Sequence, residues 1–296
     1  MNWSLRSAAA LMCAAALPLL QHVRPAVSQD AQVDTALIVS VDVSSSVDQD
    51  RYKLQMEGIA KALEDPGVIE AITGGPNGGI LFSMVTWADR PTFALPWVKI
   101  ASKADALALA AKVRKLPLQG GEFTCMTKML RSANDKIVPQ IPAKALRVVI
   151  DVSGDGPDNC NADEPIETVR DELVANGVTI NGLPILEGAN AGASGGAVVP
   201  DAAEKKAAQA EADPKGLEEW FKTHVQGGNG SFVLTANGYG DFARAIRQKF
   251  IIEISGSAPP QQFGRFANPA RSIEKRLVAI DGAVEPARAV PAAKFE

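Results

Sequence analysis

Three stretches of this chain are apolar almost from end to end: "TALIVSVD" (35–42), "ALRVVIDVS" (145–153) and "VTINGLPIL" (178–186). A strand that is apolar on alternate residues faces water on one side. A strand that is apolar throughout has to be covered on both sides, which is the condition of a parallel sheet between two layers of helices. The segments between these runs supply the cover. In "QDRYKLQMEGIAKALED", Tyr52, Met56, Ile59, Ala60 and Leu63 recur at helical spacing, and Pro66 ends the helix. "KADALALAAKVRKL" (103–116), a helix beginning near Thr124, "EPIETVRDELVANG" (164–177), "GLEEWFKTHV" and "GDFARAIRQKFIIEI" (240–254) are further helices. "ILFSMVTWA" (80–88) and "SFVLTA" (231–236) are further strands. "TFALPWVKI" (92–100) pairs with the former as a hairpin, and Pro96 suits it to a sheet edge. The pattern predicts an α/β fold, a doubly wound, mostly parallel central sheet flanked by helices, with one antiparallel edge strand.

The ends of the chain read differently. "MNWSLRS" followed by "AAALMCAAALPLL" and the small residues "AVS" predicts a signal peptide over 1–28, cleaved near Ser28–Gln29. Its apolar part is too short to span a membrane, and no later segment is long enough, so no span is expected in the mature chain. Cleavage removes Arg6 and Arg24 and no acid, leaving 28 basic against 34 acidic residues, a net charge of −6. That balance disfavours nonspecific nucleic-acid binding. The domain is expected over 29–256, with a small-residue, low-complexity insertion at 187–214 and an extended or disordered tail over 257–296. Two cysteines remain after cleavage, Cys125 and Cys160, an even pair that allows either a disulfide or two buried thiols.

"DVSSSVD" (42–48) closes the first apolar run. Ligands of such folds bind beyond the carboxyl ends of the strands. Asp42, Ser44 and Ser46 alternate, so an extended loop aims one carboxylate and two hydroxyls at one point. Thr124 enters a helix, and Asp155 follows the second apolar run. Together they would offer five oxygens with two negative charges. Oxygen donors without histidine or thiolate suit Mg²⁺, Mn²⁺ or Ca²⁺ rather than zinc. A cluster of this kind also caps helices, and Ser46 or Asp48 suits that role.

The three pieces together resemble the metal-ion-dependent adhesion site of von Willebrand factor A domains. They are D-x-S-x-S (Asp42, Ser44, Ser46), the threonine segment "TCMTKML" from Thr124, and "SGDG" with Asp155. The chain resembles more closely an exported bacterial subgroup, domain of unknown function 1194. The similar segments are "ALIVSVDVSSSVD", "VTWAD" with "PWVKI", "RVVIDVSGDGPDN", "INGLPIL" and "GGNGSFVLTANGYGDFARAIRQKFIIEI". The resemblance implies a divalent cation, Mg²⁺ first and Mn²⁺ or Ca²⁺ as alternatives, held by Asp42, Ser44, Ser46, Thr124 and Asp155. It implies a protein partner, unknown, that offers an acidic residue, and a periplasmic or secreted location. Thr127 is the alternative threonine, one turn into the helix. In the family fold the threonine loop and the D-G loop lie side by side, which implies a Cys125–Cys160 disulfide. Asp151 is expected to stand behind the ligands and orient one of them, with a hydrogen bond to a loop backbone as its alternative. Trp87 and Trp97 are read as core residues, with a binding face as the alternative.

The expected activity is therefore binding, not catalysis. A serine hydrolase needs a histidine base, and His224 is the one histidine after the leader. An Mg²⁺-dependent phosphate-handling enzyme using Asp42, and a structural domain with an idle metal site, are the alternatives.

Overall fold

Strand β1 (Gln32–Asp42) is buried at every position after its first residue. It lies at the centre of the sheet because both its edges are used. It pairs in parallel with β2 (Ile80–Trp87) on one side and with β4 (Lys144–Gly154) on the other. Strand β5 (Val178–Pro184) extends the sheet in parallel from β4, and β3 (Pro91–Ile100) closes the opposite edge antiparallel to β2. The order is β3-β2-β1-β4-β5, the expected mostly parallel sheet with one antiparallel pair. This computed structural model describes residues 32–160, 163–186 and 214–256. The expected leader, the tail and all of the insertion except Pro214 lie outside the described residues.

Successive residues of a strand point to opposite faces, and both faces of β1 meet helices. Leu37, Val39 and Val41 pack with Tyr52, Met56, Ile59 and Leu63 of α1 (Gln49–Glu64), with α3 (Lys103–Val113), and with Phe242, Ile246 and Phe250 of α7 (Phe242–Ser255). Ile38 faces the other way, with Trp87, Ile150, Val152 and Ile180. The same cluster takes in Met129 and Leu130 of α4 (Met126–Ser132), Val169 and Leu173 of α5 (Ile166–Ala175), and Leu217 of α6 (Pro214–Trp220). Trp87 is thus a core residue, and Trp97 is partly buried against the same cluster with its indole N–H on Ile137 O at 3.3 Å. Helices α1 and α7 come close enough that a Cβ on Gly58 would lie 2.8 Å from Phe242 Cδ1, so a larger residue there would push the pair apart.

Two segments depart from the sequence reading. Pro66 does not simply end a helix; it starts α2 (Pro66–Thr73), where a proline at the first turn forfeits no hydrogen bond. Asp65 caps α2 by accepting from Gly67 N and Val68 N, and Arg247 of α7 holds its other oxygen at 2.6 Å. The predicted strand 231–236 is not a strand but makes isolated bridges to Gly182 of β5 and to Ile185 just after it. Pro184 has no N–H to give to a ladder, and Asn181 Oδ1 takes the Phe232 N–H instead.

Candidate functional site

The chain winds away from β1 in two directions, and the loops after β1 and β4 therefore meet at the point where the strand order reverses. Asp42 is the last residue of β1 and is fully buried. Its Oδ1 accepts from Ser44 N at 2.7 Å, which turns the loop; Ser44 is buried beside it and Ser46 is exposed at the rim. Its Oδ2 is buried without a hydrogen-bond partner. Gly154, at the end of β4, makes room for that oxygen; a Cβ there would stand 3.1 Å from it.

The other four predicted ligands form a chain of oxygens beside Asp42. Thr124 Oγ1 lies 3.3 Å from Ser44 Oγ, and Ser44 Oγ lies 3.3 Å from Ser46 Oγ. Ser46 Oγ donates to Asp155 Oδ1 at 2.7 Å. The structure therefore brings Asp42, Ser44, Ser46, Thr124 and Asp155 together. Thr127 stays apart, with its hydroxyl and N–H both donating to Asp158 Oδ2 at 2.6 Å. Asp151 is also placed elsewhere. It lies on the α7 face of the sheet, buried, 3.5 Å from Lys249 Nζ. Lys249 meets Glu253 at 3.0 Å, and Asn181 Nδ2 donates to Glu253 at 2.8 Å. Burial and the charge of Glu253 hold the Asp151 carboxyl well above the usual carboxylate range, with Lys249 opposing. The structure gives Asp151 neither a contact with the five ligands nor the loop-backbone hydrogen bond that was its alternative.

The loops are tied together by several bonds. Cys125 and Cys160 form a disulfide with their Cα atoms 4.8 Å apart. Thr124 N donates to Asn159 Oδ1 at 2.8 Å, and Asn159 N returns a bond to Thr124 O at 3.2 Å. Asp89, after β2, accepts from Phe123 N at 2.7 Å and from Glu122 N at 3.1 Å. Ser45 Oγ donates to Glu122 O at 2.9 Å. Asp89, Asp158 and Asn159 were not singled out in the sequence, because an aspartate or asparagine that holds a loop looks like any other turn residue.

The electrostatics are those of a site short of positive charge. Burial first, and then the charge of Asp155, raise the Asp42 carboxyl from 3.8 to about 7, against the Ser44 hydrogen bonds and a weaker pull from the Asp155 backbone N–H, which stays outside hydrogen-bond geometry. Among the described residues no three His, Cys, Asp or Glu side chains gather as a metal-binding group. The donor set is two carboxylates and three hydroxyls. Oxygens at right angles on an ion with bonds of 2.0–2.1 Å stand about 3 Å apart. The spacings of Ser44 to Ser46 and Ser44 to Thr124 are close to that and longer than a settled O–H···O bond. The residues fit a small hard divalent cation.

A family profile described as "Protein of unknown function (DUF1194)" matches residues 32–258. The chain belongs to the DUF1194 family. That is the family its motifs resemble. No curated protein matches it. Similar solved structures include proximal thread matrix protein 1 from the mussel byssus, with a zinc-occupied MIDAS motif. It is 18% identical, with 76% of this chain and 49% of that one covered and a TM-score of 0.46. A von Willebrand factor type A protein from Catenulispora acidiphila is 16% identical, with 75% and 43% covered and a TM-score of 0.49. The hypothetical protein BatB from Bacteroides thetaiotaomicron is 14% identical, with 75% and 100% covered and a TM-score of 0.45. The chain spans about half the length of the mussel protein. Among the described residues no helix is long and apolar enough to cross a membrane.

Proposed function

We propose that this DUF1194 protein is an exported, metal-ion-dependent protein-binding module whose cation site is formed by Asp42, Ser44, Ser46, Thr124 and Asp155. The observation that carries this reading is the buried, unpartnered Oδ2 of Asp42 beside a row of hydroxyl oxygens. A buried carboxylate oxygen with no donor costs several kcal/mol unless a proton or a cation meets it. Asp155 has a matching task. It accepts the Ser46 proton, which leaves a lone pair of that hydroxyl available for a ligand bond. A divalent cation held there, Mg²⁺ first by the donor set, supplies a Lewis-acidic position for an acidic side chain of a partner protein. Three neutral hydroxyls donate little charge, so the position keeps its pull on that carboxylate.

Binding is preferred to catalysis because the serines lack a histidine base. His224, in the helical turn after α6, pairs with Glu167 of α5, and the groups facing Ser44 and Ser46 are hydroxyls and Asp155. Lys249, fully buried on the α7 face, is paired with Asp151 and Glu253 and so gives Asp42 no phosphate-binding partner. The signal-like sequence of residues 1–28 supports a periplasmic or secreted location.

The test is calorimetric titration of the chelator-stripped protein with Mg²⁺, Mn²⁺ and Ca²⁺, beside an Asp42→Ala, Ser44→Ala double variant. Saturable binding of one ion, lost in the variant, is the expected result. Equal binding by both proteins, or none by the intact one up to millimolar ion, overturns the assignment.

A further inference from the structure

Tyr239 adds a sixth oxygen to the site. It lies on the short turn Tyr239–Asp241 that leads into α7, and its side chain is 5% exposed. The hydroxyl donates to Asp155 Oδ2 at 2.9 Å. The Arg51 guanidinium sits over the ring, 5.4 Å from its centroid, and also donates to Ser46 O. Both oxygens of Asp155 are therefore taken by hydroxyl donors, Ser46 on one and Tyr239 on the other. Asp42 keeps one oxygen without a donor. The two carboxylates are chemically unequal, and Tyr239 contributes to the difference.

We infer that Tyr239 is a positioning residue that sets the ion preference of the proposed site; the inference rests on the cation reading above. By occupying one lone pair of Oδ2 while Ser46 occupies one of Oδ1, the phenol weakens Asp155 as a second, two-oxygen anionic ligand. Asp42 is then the anion offered to the ion, and the hydroxyls of Ser44, Ser46 and Thr124 are the neutral donors. Ca²⁺ takes six to eight oxygens and favours carboxylates that give both of theirs, whereas Mg²⁺ takes six and tolerates a spare donor set. A carboxylate tied at both oxygens disfavours Ca²⁺ in particular. It also leaves more charge on the ion for a partner's acidic side chain. A purely structural tyrosine would instead lower stability when changed and leave the order of ions as it was.

The experiment compares the full chain, its Tyr239→Phe variant and a Tyr239→Phe, Asp155→Asn double variant. Each is stripped of metal and titrated calorimetrically with Mg²⁺ and with Ca²⁺, with thermal unfolding to monitor the fold. Tyr239→Phe should raise the Ca²⁺ affinity relative to Mg²⁺ by about tenfold, the scale of one hydrogen bond to a charged acceptor. The gain should vanish in the double variant, where the released oxygen carries no charge. An unchanged Ca²⁺ to Mg²⁺ ratio in a folded Tyr239→Phe protein, or a gain that survives Asp155→Asn, overturns the inference and leaves the cation site standing. Absence of ion binding by the unaltered chain overturns both. If Tyr239→Phe does not fold, Asp155→Asn alone decides. A common loss for both ions supports Asp155 as an indirect partner, and a selective loss of Ca²⁺ refutes it.

Discussion

Replacing Asp42 by asparagine should make the metal-free protein more stable near pH 8 while removing its affinity for a cation. The carboxyl is raised from 3.8 to about 7, chiefly by burial. Each unit corresponds to about 1.4 kcal/mol, so ionised Asp42 destabilises the folded state on the order of 4 kcal/mol at alkaline pH. Asparagine keeps an oxygen for the Ser44 N–H and loses the charge, but its amide needs an acceptor near Asp155. We therefore expect a gain of about 2 kcal/mol. The sign follows from linkage. The folded state binds the Asp42 proton more tightly than the unfolded chain, so the contribution of protonated Asp42 is fully present below about pH 4. It is lost as pH rises through about 7 and is constant beyond. Urea unfolding of chelator-treated wild type and Asp42→Asn should show the variant less stable by about 1–2 kcal/mol near pH 4, where the amide cost stands alone, slightly more stable near pH 6, and more stable by about 2 kcal/mol near pH 8. Taking the difference between the two proteins cancels Asp151 and the other groups that do not feel the Asp42 charge. A variant less stable than wild type near pH 8, or a gap that does not change with pH, refutes the reasoning. Excess Mg²⁺ should then stabilise wild type alone, by an amount set by concentration over Kd.

The remaining predictions concern the supports of the site. Lys249→Met leaves Asp151 and Glu253 buried without their cation, and urea titration should show a loss of about 3–5 kcal/mol; adding Asp151→Asn and Glu253→Gln should recover most of it. Thr124→Val should weaken cation binding about tenfold in calorimetry, by analogy with the loss of one well-placed polar partner, with little change in melting temperature. Thr127→Val should do the reverse, because its hydroxyl serves Asp158. Replacing Cys125 and Cys160 by serine should lower stability by about 2–4 kcal/mol and weaken cation binding as well, since the bond spans 35 residues and joins the loops of Thr124 and Asp155.

Much of the fold was legible because burial on two faces leaves a plain mark. Runs such as "TALIVSVD" and "ALRVVIDVS" have no polar face to present to water, so layers of helix on both sides were the available solution. Pro96 in β3 read correctly as an edge for the same kind of reason, as proline cannot donate to a second neighbour. The errors fell where backbone bonding was decided by single side chains elsewhere. Nothing in "SFVLTA" announces that its neighbour is Pro184 or that Asn181 will take the Phe232 N–H. Nothing before Pro66 announces that Asp65 will cap a second helix held by Arg247.

The site divides along the same line. Asp42, Ser44 and Ser46 were legible because their alternation is local, a property of five consecutive residues. Asp151 was not, because its environment is made by α7, about a hundred residues later in the chain. From sequence it was an acid four positions before Asp155. In the fold it is half of a buried pair of acids that share one lysine. Tyr239 is the opposite case, an unremarked aromatic that reaches the one carboxylate oxygen Ser46 leaves open. Both follow from one topological fact. α7 packs along the face of the sheet beneath the β1 and β4 ends, so its entry turn meets the site while its middle meets Asp151. A change in the entry turn therefore acts on the proposed ligands directly, and a change at Lys249 acts on the stability of the sheet that holds them. This is why the two kinds of variant should separate ion preference from unfolding free energy.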